Sequence, residues 1–327
     1  MAALLEDNLS KNTLFDEANP SRRRRYTRSP SGVALVSLTP VRVEILCYLA
    51  ELRFLSLPQI AKLCCPSERQ DLSEKSARRH MRALFDAGLV SVLPVSRAAL
   101  ASAGTPNDAS LLYGSAPNIY ATTKTGLETL HQLEMIECDT MRRPANYGPK
   151  NSLFLAHELS VRDVRVWLER AARQNGYELE CWHDSEAALI PLDRGQQQVQ
   201  SPFSVRPDAW FVLRLQKAVL VGLVEVDRGT ERGERRWREK LAAYEELFAS
   251  GCLSAVTGYV NARVLVVTPN PKRRDQLSEV IEAASSRLSS RFWISERAVL
   301  EGKSLFLPAW RHHPSLSLRS LISNSTG

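Results

Sequence analysis

Apolar positions recur at helical spacing from Thr39: Val43, Leu46, Leu49 and Ala50 define one face of a helix that ends before the extended stretch Phe54-Leu55-Ser56. Leu57-Pro58-Gln59-Ile60-Ala61 then sets a proline in a first helical turn, where its missing N–H costs nothing, and turns Ile60 and Leu63 inward. Ser73 is the expected cap of a third helix running to Ala87, with Gly88 as its stop. Ala77, Met81, Leu84 and Phe85 are its buried stripe, and Lys75, Arg78, Arg79 and Arg82 fall largely on the other side. Leu89 to Val92 and Asn118 to Thr122 read as a pair of strands, and Gly126 to Met135 as a closing helix. The order is that of a winged helix-turn-helix, in which Lys75, Arg78, Arg79 and Arg82 would dock duplex DNA from the third helix. Between the strands, Val95 to Ala116 is rich in Ala, Ser, Gly and Pro and predicts a wing loop.

A second periodic region starts after a polar stretch with Pro144 and Gly148-Pro149, which marks residues 138–150 as a linker between domains 36–137 and 151–310. Its first helix, about Ser152 to Gln174, has the stripe Leu153, Ala156, His157, Ser160, Val164, Trp167, Leu168 and Ala171. His157 is either a packed, hydrogen-bonded histidine or a catalytic-site group that acts as a ligand or phosphate contact. Two β-rich runs follow, Arg206 to Leu213 and Val219 to Asp227, flanking Gln216 and Lys217. If those two residues form a tight hairpin tip, Asp208 stands opposite Glu225, with side chains roughly 5 Å apart at Cβ. Asp227, two residues on, points to the same face, so three carboxylates are expected to converge. Like charges that close repel, and a hard divalent cation, Mg²⁺ or Mn²⁺, is the usual remedy. The next helix, about Gly233 to Ala249, has the stripe Trp237, Leu241, Tyr244 and Phe248, bordered by Lys240, which can reach back to the carboxylates or lie along the surface. Tyr244 reads as core. Arg228, Arg232 and Arg235 supply positive charge beside the strand end and would track a DNA backbone there.

Composition narrows the classes. With 43 Lys+Arg against 36 Asp+Glu in 327 residues, the formal charge is +7, and 44% of residues are hydrophobic, enough for two ordinary cores. No apolar run is long enough to span a bilayer, and the amino terminus lacks the pattern of a secretory signal, so no membrane insertion and a cytoplasmic setting are expected. Six scattered cysteines form neither a zinc pattern nor a disulfide framework. Arg22 to Arg25, with Tyr26 and Arg28, read as a disordered basic arm over residues 1–35, which either meets a polyanion or is simply solvated. Residues 311–327 are expected to be a flexible tail.

The order of winged helix, His157-Glu158-Leu159 helix, RPDAW strand, VEVDRGTE strand end and the Lys240 to Tyr244 helix resembles the replication-relaxation family of plasmid proteins, which includes mobilisation relaxases of the MobC kind. The resemblance spans about Thr39 to Pro269, plus the strand Arg263 to Thr268 and the helix Arg273 to Ala284. It implies an α+β, two-domain protein whose second domain is similar to PD-(D/E)xK restriction-type nucleases. It further implies that Asp208 and Glu225 are metal ligands, with Asp227 supporting the ion or a water. The lysine usual two residues after the second acid is replaced here by Asp227, and Lys240 is the candidate to supply its charge. The implied activity is a metal-dependent DNA nickase acting on double-stranded plasmid or mobile-element DNA at an origin site, in company with other replication or conjugative-transfer proteins. The alternatives are a non-catalytic replication-control or transcriptional regulator on a degenerate nuclease fold, or a protein that acts through protein contacts alone.

Overall fold

The computed structural model describes residues 37–93, 95, 118–137, 152–192, 204–229, 234–302, 304–313 and 315–322. The predicted basic arm, most of the wing loop, the linker at 138–150 and Arg232 lie outside the described residues. In chain order the first unit consists of α1 (Pro40–Leu52), β1 (Phe54–Ser56), α2 (Leu57–Cys64), α3 (Gln70–Asp86), β2 (Val90–Leu93), β3 (Ile119–Thr122) and α4 (Lys124–Gln132). β1, β3 and β2 form a three-stranded antiparallel sheet in that order. The apolar stripes predicted for α2 and α3 are buried together in its core, from Ile60 and Leu63 to Ala77, Met81 and Leu84.

Ser73 does not cap α3. The helix begins one turn earlier, and Ser73 is buried within it, where its hydroxyl donates to the carbonyls of Cys65 (2.7 Å) and Ala61 (3.0 Å). The hydroxyl fastens α3 to the carboxyl end of α2 instead. Ser56 caps α2 in a reciprocal box with Gln59, whose side chain returns to the Ser56 N–H at 2.9 Å.

The second unit comprises α5 (Ser152–Asn175), β4 (Glu178–Asp184), β5 (Ile190–Pro191), β6 (Ser204–Val205), β7 (Ala209–Arg214), β8 (Val219–Val226), α6 (Arg235–Ser250), α7 (Cys252–Thr257), β9 (Arg263–Thr268), α8 (Pro271–Glu282), α9 (Ser286–Ser289), β10 (Phe292–Glu296), α10 (Arg297–Gly302), β11 (Trp310–His312) and β12 (Ser315–Arg319). A seven-stranded mixed sheet runs β12-β11-β10-β9-β8-β7-β4, with β8, β9 and β10 parallel. Alternation along β7 and β8 sends Phe211, Leu213 and Val224 towards α5, and Trp210, Val212 and Leu223 towards α6 and α8. Gly222 pairs with Phe211, and a Cβ on it would lie 2.3 Å from that ring. The aromatic ring takes the place of a side chain there.

The expected flexible tail is corrected. Residues 310–319 supply the strands β11 and β12 that close one edge of the sheet, and Trp310 is fully buried with its indole N–H on the Leu305 carbonyl at 2.9 Å. Of that segment, residues 314 and 323–327 lie outside the described residues.

α5 buries more than the one predicted stripe. Val164, Trp167, Leu168 and Ala171 face the large sheet, whereas Leu155 and Val166 pack against the first unit. Arg162, 1% exposed, lies between the two, donating to the Leu52 and Glu158 carbonyls at 2.8 and 3.0 Å, with its guanidinium 4.4 Å from the Phe54 ring centre. Gln59 of α2 donates to Leu159 O and Asp163 Oδ1, both at 2.9 Å. One helix therefore carries both units. Among the described residues no helix is long and apolar enough to cross a membrane.

Candidate active site at the mouth of the β7–β8 hairpin

The hairpin turns as its residues dictate. Leu215 N donates to Ala218 O at 2.8 Å, leaving Gln216 and Lys217 as the two-residue tip, and the register Ala209↔Val224 continues to set Asp208 across from Glu225. Asp208 sits just before β7, with its own N–H on Val224 O at 2.9 Å. One carboxylate oxygen accepts the Val226 N–H at 2.7 Å, and the other lies 2.9 Å from His157 Nε2. His157 thus reaches the site from the first turns of α5. Burial pulls the imidazole pKa down, but the hydrogen bond and charge of Asp208 outweigh it and leave it above the ordinary value.

Glu225 is 1% exposed, one strand away. Lys240 Nζ stands 2.5 Å from its Oε2, and Tyr244 donates its hydroxyl to Oε1 at 2.7 Å. The two partners are one turn apart on α6, so a single helical stripe, with Lys240 at its border, delivers both. Burial pushes the Glu225 carboxyl up, Lys240 opposes the shift and Asp208 adds to it. The phenol of Tyr244 is also raised, by burial and then by Glu225. Tyr244 is core, as predicted, yet it is also a hydrogen-bonding partner of the acid.

Three carboxylates do not converge. Asp227 keeps the expected face, but Arg273 holds it with two hydrogen bonds of 2.8 and 3.0 Å, Trp237 donates its indole N–H at 2.9 Å, and Gly229 N donates at 2.7 Å. Burial would raise the Asp227 pKa, but these donors outweigh it and hold the carboxyl below its ordinary value. Among the described residues no group of three or more His, Cys, Asp and Glu side chains is placed to hold a metal ion. Arg273 was not legible as a site residue. Asn270 caps α8 by accepting Arg273 N at 2.9 Å, and β9 lies beside β8, so the first turn of α8 overhangs the end of β8. The only sequence signal is the Asn270-Pro271 helix start.

The basic candidates divide. Lys75, Arg78 and Arg79 are exposed on α3, with Arg78 3.3 Å from Glu74, whereas Arg82 is half-buried, 3.2 Å from Asp86 and over the Phe85 ring. Arg228 is half-buried behind the site, its pKa lowered by burial and then by the charge of Arg297. Arg235 is exposed and donates to Glu239 at 2.9 Å. Of the two described basic residues expected beside the strand end, Arg228 acts on the His157 pKa, lowering it, after burial and the opposing influence of Asp208.

Neither a curated protein nor a solved structure matches the chain. The family model described as Replication-relaxation matches residues 46–262, from within α1 through the hairpin and α6 to the threshold of β9. The chain therefore belongs to the replication-relaxation family, which places it among proteins of DNA replication and processing.

Proposed function

We propose that the protein docks duplex DNA through its first unit, acting as a winged helix with α3 in the major groove, and nicks DNA at the mouth of the β7–β8 hairpin. The observation that carries this reading is the buried Glu225 beside Asp208, with Lys240 reaching it from α6. The succession α5, β4, β7, β8, α6, β9, with three antiparallel strands and a fourth parallel to the third, supports a PD-(D/E)xK-like core. In that reading Lys240 supplies from the helix the charge that Asp227 cannot.

Asp208 and Glu225 suit a hard divalent ion: both are oxygen donors from adjoining positions of the hairpin, and burial, with the charge of Asp208 adding to it, raises the Glu225 pKa. Asp227 does not, because Arg273 already neutralises it. Mg²⁺ or Mn²⁺, when bound, would activate water and offset charge on the scissile phosphate. The chain's own contributions are distinct. Tyr244 fixes the orientation of Glu225, His157 fixes that of Asp208, and Lys240, about one-third exposed, is placed to turn towards a phosphate oxygen as charge develops on it. Exposed Lys75, Arg78 and Arg79 would meet duplex phosphates and base edges.

The test is nicking of supercoiled plasmid that carries the gene's own neighbourhood, with Mg²⁺ or Mn²⁺, against EDTA and Asp208→Ala. Open circles that require metal and disappear in the variant, while DNA binding persists, are the expected result. One observation favours a second reading, a DNA-binding regulator: every carboxylate oxygen of Asp208, Glu225 and Asp227 already has a partner within the protein. Salt-sensitive binding by folded protein with no nicking under any metal would select it.

A further inference from the structure

Several buried or half-buried arginines in this protein are ion-paired: Arg165 meets Glu169, Arg273 meets Asp227, Arg274 meets Glu296 and Arg297 meets Asp163. One cluster of basic residues differs. It lies towards the end of the sheet where β9 and β10 begin, whereas Glu225 lies near the far end of the parallel neighbour β8. Arg263 opens β9, its guanidinium 4.5 Å from the centre of the Trp293 indole. His312, the strand partner of Trp293, packs on the same indole with ring centres 4.3 Å apart. Arg291, just before β10, lies 4.4 Å from the Phe248 ring centre. Arg287 on α9 and Arg319 at the end of β12 are exposed nearby. None of these four arginines has a carboxylate within ion-pairing distance among the described residues; Arg263 instead donates to the Leu321 carbonyl.

We propose that Arg263, Arg287, Arg291, His312 and Arg319, with Trp293 and Phe248 as their apolar backing, form a second DNA surface that holds phosphodiester backbone away from the hairpin mouth. The reason is electrostatic. Arg263 and Arg291 are partly withdrawn from water with no carboxylate in ion-pairing distance among the described residues, which is costly, and a polyanion relieves that cost, with exposed Arg287 and Arg319 adding to the local positive charge. The neighbouring charges agree with this: burial depresses the Arg263 and Arg291 pKa values, with Arg287 adding to the second, and His312 is lowered by burial and by Arg319 and Arg263. Aromatic faces under guanidinium groups are a common platform for nucleic acid. The carboxy-terminal strands, which the nicking reading leaves without a task, thereby gain one: β11 and β12 bring His312 and Arg319 to this surface. The proposal needs the protein to be a DNA-binding one and is independent of cleavage.

The experiment is anisotropy of a labelled DNA duplex with the full-length protein, titrated from about 50 to 200 mM salt. Arg287→Glu with Arg319→Glu alters two exposed residues, so folding is expected to survive and is checked by circular dichroism. Loss of two phosphate contacts should make the slope of log K against log salt less negative by about 1.8 and weaken binding roughly tenfold. Arg287→Lys with Arg319→Lys should retain most of the affinity. Unchanged slope and affinity in the doubly reversed variant, in protein that binds DNA, would overturn the surface while leaving the nicking reading intact. Asp208→Ala separates the two in the other direction, since it should abolish nicking and leave this salt dependence unchanged. Absence of wild-type binding even at low salt would overturn both.

Discussion

Lys240→Ala removes, among the described residues, the ion-pair partner of a carboxylate that is 1% exposed. Breaking a fully buried ion pair costs about 3–5 kcal/mol. Here the cost is smaller, because Lys240 is 31% exposed, so water can enter, and because Tyr244 still donates to Glu225. We expect about 2–3 kcal/mol at neutral pH, a drop of roughly 1 M in the urea midpoint. The deficit must depend on pH, with a definite sign. Burial already raises the folded-state Glu225 pKa above its ordinary value, with Lys240 the leading influence that holds it down. Without Lys240 it rises further. An acid whose folded pKa is raised makes stability fall with increasing pH between its unfolded and folded values. The loss in the variant is therefore fully expressed above the new folded value and fades as pH falls to the ordinary carboxylate range. Urea unfolding of both proteins at pH 5 and pH 8 measures this. Equal deficits at the two pH values would refute the assignment of the loss to an uncompensated Glu225.

Arg273→Ala strips two hydrogen bonds from buried Asp227 and should destabilise by about 3 kcal/mol, read as a lowered urea midpoint, since Trp237 and Gly229 offset only part of the charge. Asp227, whose folded pKa is depressed, contributes stability above its unfolded value that is lost as pH falls through the folded one, so acid unfolding of Asp227→Asn should be shallower than that of the parent. Gly222→Ala drives a methyl into the Phe211 ring and should cost about 1–3 kcal/mol or prevent folding, seen as a lowered thermal midpoint. Gln59→Ala removes two hydrogen bonds between the units and should cost about 1–2 kcal/mol, measured the same way.

Local rules were enough for much of the architecture. The period of apolar residues placed α1, α2, α3 and α6 within a turn or so, because each stripe fills a core through neighbours three and four residues apart. The two-residue tip at Gln216-Lys217 was legible for a similar reason: strand pairing across a tight turn fixes its own register, and that register alone set Asp208 opposite Glu225. The place of Lys240, one turn before Tyr244, followed from helix geometry once the stripe was known.

What remained hidden depends on contacts between distant parts of the chain. The partner of Asp227 is Arg273, 46 residues on, and it turns an expected metal ligand into half of an ion pair. Arg162 and Arg165 lie outside the predicted stripe of α5, and the first unit docked against that helix accounts for their burial. The segment after Trp293 has too little periodicity to predict its strands, which are ordered by pairing with β10. The sequence by itself determined the local elements, the hairpin register and the acids that could do chemistry, since these rest on neighbours along the chain. The tertiary structure decided which carboxylates stay available, which arginines lack counter-charge and how one helix joins the two units, since burial and electrostatic pairing are set by whatever the fold brings alongside.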